Sequence, residues 1–124
     1  MKTKKIYYRK LIRDKISRRI EESGGRFEIK ILSGVDFKKE LMKKVVEEAS
    51  GLSNAKGRKE IVSETGDLLD VLREIKKVFG ISSEELRNSR IGELKRKGGF
   101  KKRMFLVWSE DTGYRTNERK GKRQ

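Results

Sequence analysis

The 124-residue sequence contains no cysteine, no histidine and no proline. Without cysteine there is no disulfide framework, no thiolate zinc site and no cysteine nucleophile. Without histidine, the chain lacks the side chain that most often performs acid–base chemistry near neutral pH and that most often ligates transition metals. Any catalytic site must therefore be built from carboxylates, lysines, hydroxyls or a hard cation such as Mg²⁺.

Long hydrophobic runs are also missing. The longest uninterrupted apolar run, residues 104–108, is far too short to span a bilayer. Residues 1–5 lack the apolar stretch of a secretory signal. We therefore expect a cytoplasmic protein that has no membrane partner.

Positive charge dominates what is present. Charged residues make up 43% of the sequence, and 34 Lys and Arg against 19 Asp and Glu give a net charge of +15, which favours anionic partners. With 33% hydrophobic residues, a chain of this length has material for one thin core and not for two independent ones. We expect a single domain over residues 1–112 and a polar, basic, disordered tail over residues 113–124.

Apolar residues recur at helical spacing in four segments. The predicted helices run over residues 10–22, from about Asp36 to residue 52, from Ile61 to Phe79, and from Ser82 or Ser83 to the glycines at 98–99. The predicted apolar face of the second helix consists of Phe37, Leu41, Val45, Ala49 and Leu52, and that of the third consists of Ile61, Thr65, Leu68, Leu72, Ile75 and Phe79. Residues 26–31 alternate with a period of two, and residues 104–108 are continuously apolar, so both predict short strands. The sequence therefore predicts a mainly α protein, a bundle of about four helices with a small two-stranded β element formed by the N-terminal and C-terminal parts.

Three carboxylates lie beside the predicted apolar faces. At 100° per residue, Glu64 and Asp67 share one flank of the third helix, and Glu48 lies near the apolar face of the second. Glu47 and Asp70 point towards solvent. Carboxylates that meet beside a core repel one another unless a proton or a cation compensates, and Mg²⁺ prefers such oxygen ligands. On spacing alone, the alternative that all three are solvated and paired with lysines stays open.

The same carboxylates belong to a longer pattern: Glu47-Glu48, then Gly51, then a spacer over residues 52–63, then Glu64-Thr-Gly-Asp67. This order resembles the all-α nucleoside triphosphate pyrophosphohydrolases of the MazG-like superfamily. The segments YRKLIRDKI (residues 8–16) and KGGFKKRMFL (residues 97–106) are similar to the opening and closing signatures of the phosphoribosyl-ATP pyrophosphohydrolase-like branch. The resemblance spans residues 8–107.

The resemblance implies a MazG-like helical bundle that assembles as a homodimer or a higher homo-oligomer. It implies Mg²⁺-dependent cleavage of a nucleoside triphosphate to the monophosphate and pyrophosphate, a house-cleaning reaction for which Mn²⁺ is a substitute metal. The catalytic and metal-ligand positions then fall on Glu48, Glu64 and Asp67. One position departs from the family pattern, because its third Glu is replaced by Gly51. An active enzyme and an impaired one both remain open.

The basic signatures also have two interpretations. If the N-terminal and C-terminal parts converge, Lys10, Arg13, Lys15 and Arg103 are expected to bind the triphosphate; the alternative is a solvated basic face. The competing function is an inactive family member that binds nucleotide or nucleic acid through its basic surface and tail. A scaffold or oligomerisation partner is the third alternative. A nucleic-acid binder has no reason to bring three carboxylates together.

Overall fold

The computed structural model describes residues 4–114, and within that range the chain forms four helices. These are α1 (Ile16–Glu22), α2 (Gly34–Ser53), α3 (Gly57–Val78) and α4 (Ser83–Lys97). The mainly helical class predicted from the sequence is confirmed. The chain divides into two compact units, the first ending at Leu86 and the second beginning at Arg87. No helix within residues 4–114 has both the length and the apolar character that a membrane span requires.

Helix α2 begins at Gly34 because Ser33 caps it. The backbone N–H of Asp36 donates to the Ser33 hydroxyl at 3.2 Å, which satisfies one of the free amides at a helix start. Asp36, the predicted start, lies instead in the first turn, where a carboxylate interacts favourably with the helix dipole. At the other end, the side-chain amide of Asn54 donates to the Ser50 carbonyl at 2.8 Å.

Helices α2 and α3 form an antiparallel hairpin joined by residues 54–56, and this hairpin is the centre of the first unit. Among residues 4–114, only Leu41 of α2 and Val71 of α3 are buried apolar side chains, 4% and 9% exposed. Leu41 lies on the predicted apolar face of α2. Ile61 and Phe79, predicted to define the face of α3, are exposed. The packed side of α3 is therefore rotated from the predicted stripe towards Val71.

Helix α1 starts at Ile16 and not at Lys10, so the predicted first helix is too long at its N-terminal end. The Leu11 carbonyl accepts a hydrogen bond from the Lys44 ammonium group of α2 at 2.9 Å. Residues 4–15, called the N-terminal segment below, are held by such contacts with the hairpin instead of by helical hydrogen bonds. The end of α1 agrees with the prediction, since Gly24, with φ of +81°, follows it.

The predicted two-stranded β element is not seen within residues 4–114: residues 26–31 and 104–108 have no regular secondary structure. Large apolar side chains in both segments, including Ile31 and Phe105, are exposed. Apolar alternation predicts which face of a strand would be buried, but a strand also requires a neighbouring backbone to bond with. The prediction was wrong because the sequence pattern carried no information about that partner.

Helix α4 begins where the sequence predicts, because the Ser82 hydroxyl accepts a hydrogen bond from the Glu85 backbone N–H at 3.0 Å. Gly98, with φ of +79°, follows its last residue. In the second unit, Arg103 adopts φ of +54°, a left-handed conformation that is uncommon for a residue with a long side chain. Most of the predicted disordered tail, from Arg115 onwards, lies outside the described residues.

Candidate metal centre

Three carboxylates meet between the helices of the hairpin: Glu48 from α2, and Glu64 and Asp67 from α3. One carboxylate oxygen of each lies within 4.8 Å of the other two, and all three residues are half-buried. We call these residues the acidic cluster. The structure thus brings together the three side chains that the sequence selects as metal ligands.

The cluster follows from the spacing between its residues and the buried core. Glu48 follows the buried Leu41 by seven residues, and Glu64 precedes the buried Val71 by seven. Seven residues are almost two helical turns, about 10 Å along the axis. Each carboxylate therefore lies on the same side of its helix as the buried residue, two turns nearer the loop. The contact line between α2 and α3 is apolar at one level and acidic at the other.

The electrostatic environment of Glu48 is unfavourable to its ionised form. Burial raises the pKa of Glu48 above its ordinary value. The Lys44 ammonium group, 3.8 Å from Glu48 Oε1, opposes the rise, whereas the carboxylates of Asp67, Glu47 and Glu64 add to it. A carboxyl group in this position favours either a proton or a nearby cation.

Glu47 has the opposite environment. Its oxygens lie 2.8 Å from the Lys10 Nζ and 2.6 Å from the Lys44 Nζ. Hydrogen bonds from Lys10 and then from Lys44 lower the pKa of Glu47. Glu47 is therefore the partner of two lysines and is not part of the acidic cluster, and it is half-buried instead of pointing freely into solvent as the sequence predicts.

Arg13 contacts the cluster directly. Its Nη2 lies 2.9 Å from Asp67 Oδ1, and its Nη1 lies 2.9 Å from Asp70 Oδ2. The hydrogen bond with Asp70 is the largest cause that raises the pKa of Arg13, and burial opposes it. Asp70, which the sequence places towards solvent, is exposed, but it pairs with Arg13.

The other predicted phosphate-binding residues have different positions. Lys10 is joined to the hairpin through Glu47. Lys15 occupies the cap position of α1 and is exposed, and Arg103 is an exposed residue of the second unit. The side chains of Lys15 and Arg103 form no hydrogen bond or ion pair with another residue between 4 and 114. The structure thus brings Arg13 and Lys10 to the hairpin and leaves Lys15 apart from it.

Sequence reasoning missed Lys44, whose ammonium group contacts Glu47, Glu48 and the Leu11 carbonyl. A signal for two of these contacts is present in the sequence, since Lys44 precedes Glu47 by three residues and Glu48 by four, the spacing of neighbours on a helix surface. The contact with Leu11 had no local signal, because it joins residues that are far apart in the chain.

Gly51, which stands where the MazG-like sequence pattern has its third Glu, lies against the Glu64 carboxylate. A Cβ atom at residue 51 would be 2.6 Å from Glu64 Oε2 and 3.2 Å from Glu64 Cδ. The carboxylate therefore occupies space that any other residue at position 51 would need. An open groove of about 550 Å³ borders Gly51 and is also lined by Lys10, Lys43 and Ser50.

The residues fit a hard divalent cation. Three carboxylate oxygens within one small volume are the donors that Mg²⁺ prefers, and the cluster contains no nitrogen or sulfur donor that would favour a softer metal. Compared with protein-family models, curated proteins and solved structures, the chain has no match. The resemblance to the MazG-like superfamily therefore depends on the sequence motifs alone.

Proposed function

We propose that the protein is a Mg²⁺-dependent nucleoside triphosphate pyrophosphohydrolase of the MazG-like type. The reaction cleaves the triphosphate between its α and β phosphates and releases the nucleoside monophosphate and pyrophosphate, as a house-cleaning step. The observation that carries the proposal is the meeting of Glu48, Glu64 and Asp67 between α2 and α3. The order of the sequence motifs and the helical fold support it.

In this proposal Glu48, Glu64 and Asp67 hold the cation through carboxylate oxygens. Bound Mg²⁺, or Mn²⁺ in its place, supplies positive charge for the phosphate oxygens and lowers the pKa of water. No histidine is required, which agrees with the composition of the chain.

The N-terminal segment supplies the groups that bind the substrate's phosphates. In the free protein the Arg13 guanidinium neutralises Asp67 and Asp70. A planar guanidinium matches two phosphate oxygens as well as it matches two carboxylate oxygens, so Arg13 is suited to exchange Asp67 for the triphosphate. Lys10, which pairs with Glu47 of the same hairpin, supplies a second positive charge, and we assign the exposed Lys15 at the start of α1 to the same task.

We also propose that the protein is a homodimer or a higher homo-oligomer. Leu41 and Val71 are the only buried apolar side chains among the residues that the structure describes, which is too little for a stable isolated domain. The hairpin also has exposed apolar side chains, including Val46, Val62 and Leu69. A second copy that packs on this surface would remove them from water. Sedimentation equilibrium tests this point, and a monomer at all concentrations would contradict it.

The test of the enzymatic function is pyrophosphate release from a panel of canonical and damaged nucleoside triphosphates, with Mg²⁺, with Mn²⁺ and with a chelator. We expect release that requires metal and that falls by about 100-fold or more in Glu64→Ala, because a lost ligand weakens both metal binding and charge stabilisation. Glu60→Ala, which removes the same charge one turn earlier on α3, serves as the control. Unchanged hydrolysis by Glu64→Ala would contradict the assigned site.

A second function, binding of single-stranded nucleic acid, is favoured by one observation in the second unit. Phe100 and Trp108 are 95% and 75% exposed, and Lys101, Lys102 and Arg103 lie between them in the sequence. Exposed aromatic rings among cations are typical of surfaces that bind single strands. Titration of an oligonucleotide against Trp108 fluorescence tests this function; quenching that weakens steeply with salt would support it.

A further inference from the structure

We propose that Gly51 is a positioning residue of the acidic cluster: the missing side chain lets the Glu64 carboxylate lie against α2, and the cluster then holds one divalent cation. This inference rests on the proposed function, because it requires that the cluster takes a cation.

The register of the hairpin sets Gly51 opposite Glu64. In an antiparallel pair, three residues forward on α2 correspond to about three residues backward on α3. Glu48 and Asp67 meet at one level, so Gly51 and Glu64 meet one turn nearer the loop. A side chain at position 51 would therefore point into the space that Glu64 uses.

The space next to Gly51 is filled by the Glu64 carboxylate group. A Cβ at residue 51 would lie 2.6, 3.2 and 3.7 Å from Glu64 Oε2, Cδ and Oε1. The first of these distances is shorter than nonbonded atoms accept, so even alanine would displace the carboxylate. The atoms that must move are the end of a flexible side chain, so the helices keep their places and only the ligand is shifted.

Among residues 4–114, no charged group pairs with the Glu64 carboxylate in addition to its contact with Gly51. Lys44 faces Glu48, and Arg13 binds Asp67. Glu64 is the one member of the cluster whose carboxylate forms no hydrogen bond or ion pair with another residue in the range 4–114. Its position depends on packing against Gly51, which makes it the ligand most sensitive to a substitution at that site.

The same geometry limits the number of cations. Glycine at position 51 supplies no fourth carboxylate, and the Glu64 carboxylate occupies the space beside it. Three carboxylate oxygens that all lie within 4.8 Å of one another can share a single ion, and Mg²⁺ is commonly held by few protein oxygens together with water and phosphate oxygens. The expected stoichiometry is one cation per chain.

The experiment compares Gly51→Ala with Gly66→Ala. Both replace a helical glycine by a better helix former, but a Cβ at residue 66 meets nothing within 4 Å. Binding of Mn²⁺ is measured from the electron paramagnetic resonance signal of the free ion, and thermal unfolding is measured in chelator. We expect one Mn²⁺ per chain in the unchanged protein and in Gly66→Ala. In Gly51→Ala we expect binding weaker by about tenfold, the low end of the loss when a group that orients a metal ligand is changed.

A third variant separates displacement of Glu64 from general damage. In Gly51→Ala/Glu64→Asp the shorter acid leaves room for the added methyl group. The fold-loss of Mn²⁺ affinity caused by Gly51→Ala should therefore shrink when residue 64 is aspartate, because contacting residues are coupled in a double-mutant cycle.

The outcomes are distinct. Gly51→Ala that binds Mn²⁺ as tightly as Gly66→Ala, or two ions per chain in the unchanged protein, would overturn the inference. So would a melting temperature of Gly51→Ala in chelator far below that of Gly66→Ala, since the contact would then serve packing in general. An unchanged protein that binds no Mn²⁺ would instead refute the proposed function, and the inference with it.

Discussion

The guanidinium of Arg13 lies 2.9 Å from the carboxylate of Asp67, although 54 residues separate them in the sequence. One carboxylate of the acidic cluster is therefore already paired with a positively charged side chain of the protein. A metal ion that binds Asp67 must share this carboxylate with Arg13 or replace it. Any metal binding at Asp67 is therefore coupled to the position of the Arg13 side chain.

Replacement of Arg13 should have opposite effects on metal binding and on turnover. In Arg13→Ala we expect Mn²⁺ to bind about two- to fivefold more tightly, the range for loss of an exposed competing ion pair. We expect kcat/KM for the triphosphate to fall by about tenfold or more, since a phosphate contact is lost. Mn²⁺ titration and pyrophosphate release measure the two effects. Arg18→Ala, on the exposed side of α1, is the control; equal effects in both variants would contradict a specific role for Arg13.

Glu48 should make the metal-free protein less stable as the pH rises. Because burial raises its pKa in the folded state, the folded protein binds this proton more tightly than the unfolded chain does. Stability is therefore lost as the pH rises above the ordinary carboxyl value. We expect Glu48→Gln, which mimics the neutral acid, to be more stable than the unchanged protein at pH 7 in chelator, and to lose that advantage at low pH. Urea unfolding over a pH series measures this.

The neighbouring Glu47 provides a control of opposite sign. Lys10 and Lys44 lower its pKa, so its contribution to stability is present above the ordinary carboxyl value and disappears as the pH falls through the lowered one. Glu47→Gln should therefore destabilise the protein at pH 7 and have little effect in acid. If both variants shifted stability in the same direction at pH 7, the assigned environments would be wrong.

Mg²⁺ should stabilise the folded protein. A ligand that binds only the folded state at 100 times its Kd adds about 2.7 kcal/mol to the free energy of unfolding. We expect the stabilisation in the unchanged protein and in Glu60→Ala, and none in Glu64→Ala. Chemical unfolding with Mg²⁺ and with chelator tests this without any substrate. A gain that persists in Glu64→Ala would place the bound ion elsewhere.

Lys44 should be more important for stability than its neighbour Lys43. Lys44→Met removes the partner of the Leu11 carbonyl and of Glu47, and an unpaired, partly buried carbonyl costs about 1–2 kcal/mol. Lys43 is exposed, and its one ion pair among the residues described is with Glu40 of its own helix. We therefore expect no measurable change in Lys43→Met. Urea unfolding at pH 7 compares the two variants, and equal stabilities would show that the N-terminal segment is not anchored through Lys44.

The sequence predicts best the features that depend on local spacing. Helical periodicity with a serine cap and a glycine stop locates α4 to within a residue, and the one-turn spacing of Glu64 and Asp67 agrees with their shared flank. The N-terminal segment has the same helical period but forms no helix, because Leu11 and Arg13 bond to the hairpin instead. The helical spacing of apolar residues indicates which residues share a face. It does not indicate which other groups will form hydrogen bonds with the backbone in place of those of a helix.

The packed side of α3 shows the same limit. The stripe that contains Ile61 and Phe79 is the most continuous apolar pattern on the helix, yet Val71 is the buried residue. A single chain buries the side that α2 can reach, and leaves the rest of the stripe exposed. The exposed part of the pattern is free to contact a second copy of the chain, as the proposed oligomer requires.

Glu48 and Glu64 occupy heptad positions where a helical hairpin ordinarily places leucines. In the half of the hairpin next to residues 54–56, carboxylates therefore repel one another where the two helices meet. In the other half, Leu41 and Val71 pack at the same contact. In the absence of a cation this end should open first, and its backbone amides should exchange with deuterium sooner than those near Leu41. A bound cation would remove this repulsion. The fraction of chains that hold a cation would then also determine how tightly the ends of α2 and α3 pack together.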